Sequence, residues 1–347
     1  MSSDSRYQTL RLRAVVDETA DARSLVFDIP PALSSTFRYS PGQFLTLRLP
    51  VEDGRYLPRC YSMSSAPMLD EAMLRVTVKR VREGRGSNWI CDRLRPGDAV
   101  QVLPPAGVFT PRSLDGDFLL LAGGSGITPV FSILRSALSQ GRGRLLLVYA
   151  NRDERSVIFR DELKALAAAH PDRLSVIHWL DSVQGPPSVA QLGELARSMS
   201  ERAQAFICGP GPFMDAAQAA LQRQGMADGQ IHVERFASLP EEGAAAAAPA
   251  APAAVAEAEV EIRIDGAVHT IRCGGHEAIL DAALRAGLEL PYSCQAGMCA
   301  SCRCQVVEGE VHLRHNDALD GRDLAKAWTL SCQAVPASAR VTVKFPQ

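Results

Sequence analysis

The sequence carries no excess of either charge. Its 37 lysines and arginines face 39 aspartates and glutamates, a net charge of −2 over 347 residues. Such a balance gives no electrostatic support to a nucleic-acid or membrane-surface role, both of which need a concentration of one sign. Uninterrupted apolar runs are missing too. The longest, Phe118 to Leu134, is broken by Gly123, Gly124, Gly126 and Pro129 and does not read as a spanning helix. The opening stretch, MSSDSRYQTLRLRAVV, lacks an apolar core followed by a cleavage site. A soluble, cytoplasmic protein without internal repeats is the expectation.

Cysteine, by contrast, is plentiful. Of nine, Cys60, Cys91, Cys208 and Cys273 are scattered, whereas Cys294, Cys299, Cys302, Cys304 and Cys332 fall in the last fifth of the chain. Without an export signal they do not suggest a disulfide framework; clustered thiols in a reducing compartment more often hold metal. The spacing Cys294-x4-Cys299-x2-Cys302, with 29 residues before Cys332, is the plant-type pattern for a [2Fe–2S] cluster. Gly297 and the small Ala296, Ala300 and Ser301 allow a loop to fold tightly around the sulfurs. A structural zinc site is the alternative, but zinc usually takes two short paired knuckles, and here three thiols share one loop. No histidine is spaced among the cysteines, which excludes a Rieske centre. Cys304 reads as a buried spare thiol, and His312 and His315 as surface residues.

Length suggests two or three domains. The tract EEGAAAAAPAAPAAVAEA, residues 241–258, has no hydrophobic pattern, and Pro249 and Pro252 interrupt any helix, so a semi-flexible tether is expected there. The chain then divides into 1–112, 113–240, the linker 241–258, and 259–347. The first part is rich in short strands, at Leu10 to Val16, Leu25 to Ile29, Phe44 to Leu49 and Leu74 to Val78, separated by turns such as Pro41-Gly42 and Pro96-Gly97-Asp98. That texture points to an antiparallel β-barrel. From Asp117 the pattern alternates. Strands at Phe118 to Ala122, Leu145 to Ala150, Ser175 to Leu180 and Ala205 to Cys208 accompany helices such as Val130 to Ser139 and Arg160 to Ala169, the signature of a doubly wound parallel α/β sheet. The last part opens with a hairpin, Val260 to Ile264 and Val268 to Ile271 around Asp265-Gly266, then a helix from Ala278 to Ala286.

Three short motifs in the first 240 residues carry further chemistry. In Arg59-Cys60-Tyr61-Ser62, a cation, an aromatic ring and a hydroxyl suit the phosphates, ring and N5 of a flavin, although an edge strand with a solvated arginine would look the same. Gly84-Arg85-Gly86-Ser87 opens a helix, Ser87 to Leu94, whose free N–H groups would hold a pyrophosphate; the plain alternative is a turn with Ser87 as N-cap. Gly123-Gly124-Ser125-Gly126-Ile127-Thr128-Pro129 joins a strand to a helix without the third glycine of a Rossmann fingerprint, and Cys208-Gly209-Pro210 also ends a strand. By the switch-point rule both turns should line one crevice, though either alone could be structural. Arg152 follows a strand and could hold a 2′-phosphate, while Asp153 and Glu154 beside it would favour a free 2′-hydroxyl.

Taken in order, these motifs resemble the ferredoxin–NADP reductase superfamily over residues 1–240, and residues 259–347 resemble plant-type ferredoxins, a β-grasp fold. The resemblance implies a flavin-binding barrel, with Arg59, Tyr61 and Ser62 on the flavin and Ser62 near N5. It places Gly84, Gly86 and Ser87 on the FAD pyrophosphate, which favours FAD over FMN. It puts Gly123, Gly124, Ser125, Gly126, Thr128, Pro129, Gly209 and Pro210 on NADH or NADPH, Cys208 beside the nicotinamide, and Phe236 over the flavin or, equally, in the core. In the ferredoxin part Leu290 to Cys294 enters the cluster loop and Leu330 to Gln333 supplies the fourth thiol. One departure stands out: members commonly place glycine where this chain has Ala327, before Trp328.

A hydride donor gives two electrons at once and an iron–sulfur cluster takes one, so a flavin between them implies an electron converter. With no Rieske, Glu-x-x-His or haem pattern of its own, the chain is expected to serve a terminal oxygenase. The segments Ser156 to Phe159, His178 to Gly185 and Phe206 to Met214 most resemble reductase components of 3-ketosteroid 9α-hydroxylases, which implies NADH, FAD and a Rieske partner. Reductase subunits of phenylacetyl-CoA epoxygenases, which serve a di-iron partner, share the layout. A non-catalytic electron carrier or zinc-stapled module is the reading from another class.

Overall fold

The computed structural model describes residues 7–50, 56–70, 72–199, 202–236, 255–292, 295, 297, 299–316, 318–319 and 321–346. They form two compact units. Between Gln8 and Val102, β1 (Gln8–Thr19), β2 (Ala22–Asp28), β3 (Phe44–Pro50), β4 (Tyr56–Ser62), β5 (Met73–Lys79) and β6 (Ala99–Val102) make a six-stranded sheet in the order β4-β3-β6-β1-β2-β5, most of it in the first unit, with Pro50–Arg59 grouped in the second. An antiparallel bridge from Met63 to Val76 joins its two edges, so the sheet closes into the expected barrel. Alternate residues point inward: Leu10 and Leu12, Leu25 and Phe27, Leu45, Leu47 and Leu49, and Leu74, Val76 and Val78 are all buried. Helix α1 (Arg85–Arg93) connects β5 to β6.

The parallel sheet follows. It comprises β7 (Phe118–Gly123), α2 (Ile127–Gln140), β8 (Leu145–Asn151), α3 (Arg160–Ala169), β9 (Leu174–Leu180), α4 (Asp181–Gln184), α5 (Val189–Ala196), β10 (Gln204–Cys208), α6 (Gly211–Arg223) and β11 (Ile231–Glu234). Strand order is β11-β10-β7-β8-β9, all parallel. Every residue of β7 and β8 is buried, because helices pack on both faces. Leu120, Phe131, Leu147 and Phe206 fill one side and Leu121, Val148, Ile207 and Met214 the other. Strand β11 has no counterpart in the sequence reading: Ile-His-Val-Glu is short, half polar, and lies at the sheet edge. Barrel and sheet are locked together. Arg75 pairs with Glu162 at 2.8 Å and lies over the rings of Phe159 and Phe131 at 4.8 and 5.6 Å, Arg135 pairs with Asp70 at 2.6 Å, and the buried Ser132 hydroxyl donates to the Ser65 carbonyl at 2.6 Å.

The C-terminal part of the second unit is built from β12 (Glu257–Ile264), β13 (Ala267–Gly274), α7 (Ile279–Arg285), β14 (Arg303–Glu308), β15 (Val311–Leu313), α8 (Gly321–Ala325), β16 (Trp328–Leu330), β17 (Ala334–Pro336) and β18 (Arg340–Lys344). The main sheet runs β13-β12-β18-β14-β16, and β15 pairs with β17. Asp265 and Gly266 both have positive φ, 50° and 78°, as a two-residue hairpin turn requires. Ile279, Leu280, Ala282 and Ala283 of α7 pack onto Val260, Ile262, Val341 and Val343, the grasp of helix on sheet. The tether was expected to reach Ala258, yet β12 begins at Glu257 and Ala258 is buried. The alternation Ala258, Val260, Ile262 starts on a side chain too small to signal a strand by itself.

Candidate functional site

Two turns meet at the carboxyl edge of the parallel sheet, as the switch-point rule requires. A Cβ on Gly126 would fall 2.1 Å from the Cys208 carbonyl oxygen, one on Gly209 would fall 2.9 Å from the Gly123 nitrogen, and one on Gly123 would fall 2.8 Å from Pro210 Cδ. The glycines are there because backbone touches backbone. Gly124 adopts φ +51°, its carbonyl accepts the Tyr149 hydroxyl at 3.1 Å, and the Lys79 ammonium stands beside it. The Thr128 hydroxyl donates to the Ser125 carbonyl at 3.1 Å and closes the first turn of α2, while Pro129 is buried in the helix. The start of α6, after Pro210, stands next to these turns, a setting suited to a diphosphate, while at α2 the Ile127 N–H already turns back onto the Gly124 and Ser125 carbonyls.

The barrel brings a second constellation to the same edge. Ser62, the last residue of β4, is buried, and its hydroxyl donates to Glu234 Oε2 at 3.2 Å. Glu234 ends β11 in register with Cys208 of β10. Burial drives the Glu234 carboxyl from the ordinary glutamate range up to about 8, and the Ser62 bond offsets only part of that. The Cys208 thiol is fully buried and is pushed well up, first by that burial and then by the nearby Glu234 charge. Sequence reasoning gave Glu234 no role of its own. Its only signal was a short polar-apolar alternation ahead of Arg235-Phe236. Phe236 is 48% exposed, so it is not a core residue.

At α1, Gly84 is the N-cap and Ser87 lies in the first turn, so Ser87 is not itself the cap. The Ser87 hydroxyl accepts the Val81 N–H at 3.1 Å, Gly86 is buried, and the first turn holds no acidic residue. Arg59 and Tyr61 sit on β4 ahead of Ser62, both partly buried. Arg152 is 67% exposed in its side chain and reaches Asp21 of the barrel at 2.8 Å and the Ser156 hydroxyl at 3.3 Å. Asp153 accepts both the Ser156 N–H and its hydroxyl. Asp181, immediately after β9, has a buried Oδ1 without a partner among the described residues, and burial raises its pKa.

In the second unit Cys299, Cys302 and Cys332 are buried, and the sulfurs of Cys302 and Cys332 lie 3.2 Å apart. Cys294 lies outside the described residues. The Ser301 N–H points at the Cys299 sulfur at 3.4 Å, and the Gln333 amide reaches the Gln295 carbonyl at 2.9 Å and the Cys332 sulfur at 3.8 Å. Gly297 holds φ +76° against the His315 carbonyl, where a Cβ would fall 2.6 Å from the oxygen; Gln295 and Ala300 also adopt φ near +55°. Among the described residues no three potential ligands close on a single ion. The fit to a thiolate-held cluster is carried by the sulfur pair and by the Ser301 N–H turned toward the Cys299 sulfur. Cys304 is buried, and His312 and His315 are exposed, as expected.

Comparison with known proteins agrees. Residues 262–337 match the 2Fe-2S iron-sulfur cluster binding domain family, and residues 120–219 match the oxidoreductase NAD-binding domain family. The chain is 50% identical over 98% of its length, and 97% of the relative's, to the ferredoxin reductase component of the 3-ketosteroid-9-alpha-monooxygenase of Rhodococcus rhodochrous. It is 35% identical, over 98% of both chains, to one component of the 1,2-phenylacetyl-CoA epoxidase of Escherichia coli strain K12. The chain belongs to the monooxygenase ferredoxin reductase components. Phthalate dioxygenase reductase has the same fold, at TM-score 0.59 and 22% identity over 98% of each chain.

A ferredoxin reductase component is an NAD(P)H-dependent flavin and iron–sulfur oxidoreductase, and that sets aside both zinc and the non-catalytic module. The flavin supplies the change from paired to single electrons. The first unit holds the pair of glycine turns and the Ser62–Glu234 contact in register with Cys208, and the second unit holds the thiol loop. Among the described residues no helix is long and apolar enough to cross a membrane.

Proposed function

We propose that this chain supplies electrons to a Rieske-type terminal oxygenase of the 3-ketosteroid 9α-hydroxylase kind, drawing them from NADH. The supporting observation is the 50% identity over nearly the whole chain to the reductase component of such a monooxygenase, against 35% to the epoxidase component. The domains run 1–112 for the flavin barrel, 113–240 for the nucleotide part and 259–347 for the ferredoxin part, with β12 reaching back to Glu257. Arg59, Tyr61, Ser62, Gly84, Gly86 and Ser87 hold FAD, and Phe236 covers it. Gly123 to Gly126, Thr128, Pro129, Gly209 and Pro210 hold the dinucleotide; Cys208 and Ser62 flank the point of hydride transfer. Cys294, Cys299, Cys302 and Cys332 hold the cluster.

The preference for NADH is supported by two side chains. Arg152 is drawn to Asp21 rather than left to meet a 2′-phosphate, and Asp181 offers an unpartnered carboxylate oxygen at the end of β9. A carboxylate accepts from a free 2′-hydroxyl and repels a phosphate. The test is reconstitution. The purified chain, reduced with NADH, should sustain turnover of a Rieske 3-ketosteroid oxygenase and should work poorly with NADPH. Equal service to the di-iron epoxidase oxygenase, or none to the Rieske protein, overturns the proposal.

A further inference from the structure

Ser331 adjoins, through its backbone, the two cysteines whose sulfurs lie 3.2 Å apart, Cys302 and Cys332. It directly precedes Cys332, its N–H donates to the Cys302 carbonyl at 3.0 Å, and its own carbonyl accepts the Leu280 N–H at 2.9 Å. Strand pairing sets Cys304 opposite Thr329 and Arg303 opposite Leu330. Ser331 is 0% exposed, and its hydroxyl has no hydrogen-bond partner among the described residues. A buried hydroxyl left unpaired is costly, so this one calls for an acceptor. Thr329 is likewise unpartnered, but it faces Cys304, which holds no metal in the proposed ligand set.

We propose that the Ser331 hydroxyl donates a hydrogen bond to a sulfur of the iron–sulfur cluster and thereby raises its reduction potential. The inference rests on the proposed reading of Cys294, Cys299, Cys302 and Cys332 as its ligands. One-electron reduction adds negative charge to the sulfurs, which makes them better acceptors, so a fixed donor stabilises the reduced form more than the oxidised one. Serine is therefore a tuning residue, not a ligand: it forms no bond to iron and gives up no proton.

The experiment is a redox titration of the full-length holoprotein, reading the reduced cluster by electron paramagnetic resonance, for wild type, Ser331→Ala, Ser331→Thr and Ser331→Val. Threonine and valine have the same shape and differ in the hydroxyl, so their comparison survives even if the alanine variant fails to fold. At a fixed poise near the wild-type midpoint, valine and alanine should lower the reduced-to-oxidised ratio roughly tenfold, and threonine should stay near wild type. The flavin couple should not move. Equal midpoints for threonine and valine, with iron and acid-labile sulfide fully present, overturn the inference alone. Absence of iron and sulfide from the wild-type protein overturns the ligand reading beneath it.

Discussion

At the scale of single residues, the Glu234 carboxyl in the proposed hydride site is held far from its ordinary chemistry. Its folded pKa, about 8, lies above the unfolded value, so the native state binds a proton that the unfolded state has released. The stability this contributes is complete below the usual glutamate range and is lost as pH rises toward 8. Glu234→Gln keeps a hydrogen-bonding partner for Ser62 and removes the titration. Urea unfolding across pH 5 to 8 should show wild type losing stability with rising pH and the glutamine variant losing less; parallel slopes would refute the assignment. A second prediction concerns Asp181. Asp181→Ser should reduce kcat/KM for NADH roughly tenfold and narrow the gap to NADPH, since one charged acceptor is worth about 1.5–3 kcal/mol. Arg152→Ala should leave the ratio of the two nucleotides unchanged, because its guanidinium serves Asp21.

At the scale of elements, what the sequence made legible follows a simple line. Strands β7 and β8 read clearly as continuous apolar runs, and the hairpin β12–β13 was marked by Asp265-Gly266. Strand β11 was not, since four residues with two polar ones give neither period nor run. That omission also hid Glu234, which is aligned with Cys208 only when β11 pairs with β10. The glycine turns were legible as motifs, but their reason is tertiary. Gly126→Ala would push a methyl into the Cys208 carbonyl at 2.1 Å, and backbone cannot yield as a side chain can. Reduction of the flavin by NADH should fall at least a hundredfold in that variant, measured by stopped flow, while the cluster still forms in its own unit.

Ala327 is a case where the sequence raised a question and the structure answered it. The residue follows α8 with φ +58°, its N–H on the Leu324 carbonyl and its carbonyl accepting the Val306 N–H at 2.8 Å. A left-handed residue closing a helix is the position glycine favours, and alanine there bears about 1 kcal/mol of strain. Ala327→Gly should raise the unfolding midpoint of the ferredoxin part, with a gain of about 0.5 kcal/mol after the extra backbone freedom of glycine is counted. A fall in the midpoint would mean that the alanine methyl packs usefully, and the strain argument would fail.

Over the whole molecule, the three-part plan was visible from composition and motif order alone, because each part has its own periodicity. What composition did not reveal is the contact between barrel and parallel sheet. Barrel and parallel sheet are locked by Arg75–Glu162, Arg135–Asp70 and the buried Ser132 bond. The thiol loop belongs to another unit, and residues 241–254 ahead of it are alanine, proline and glutamate with a single glycine. A sequence of that composition offers little apolar surface to bury, so its contribution comes through length and stiffness. Electrons must pass from one unit to the other and then outward, so the reach of this segment should set a rate. Deleting residues 243–250 should slow the reduction of the cluster by NADH, or its re-oxidation by the oxygenase, several-fold in stopped-flow traces. Flavin reduction, which does not involve the cluster, should proceed at the wild-type rate. If all three steps keep their rates, the segment is only a spacer and electron passage does not depend on its length.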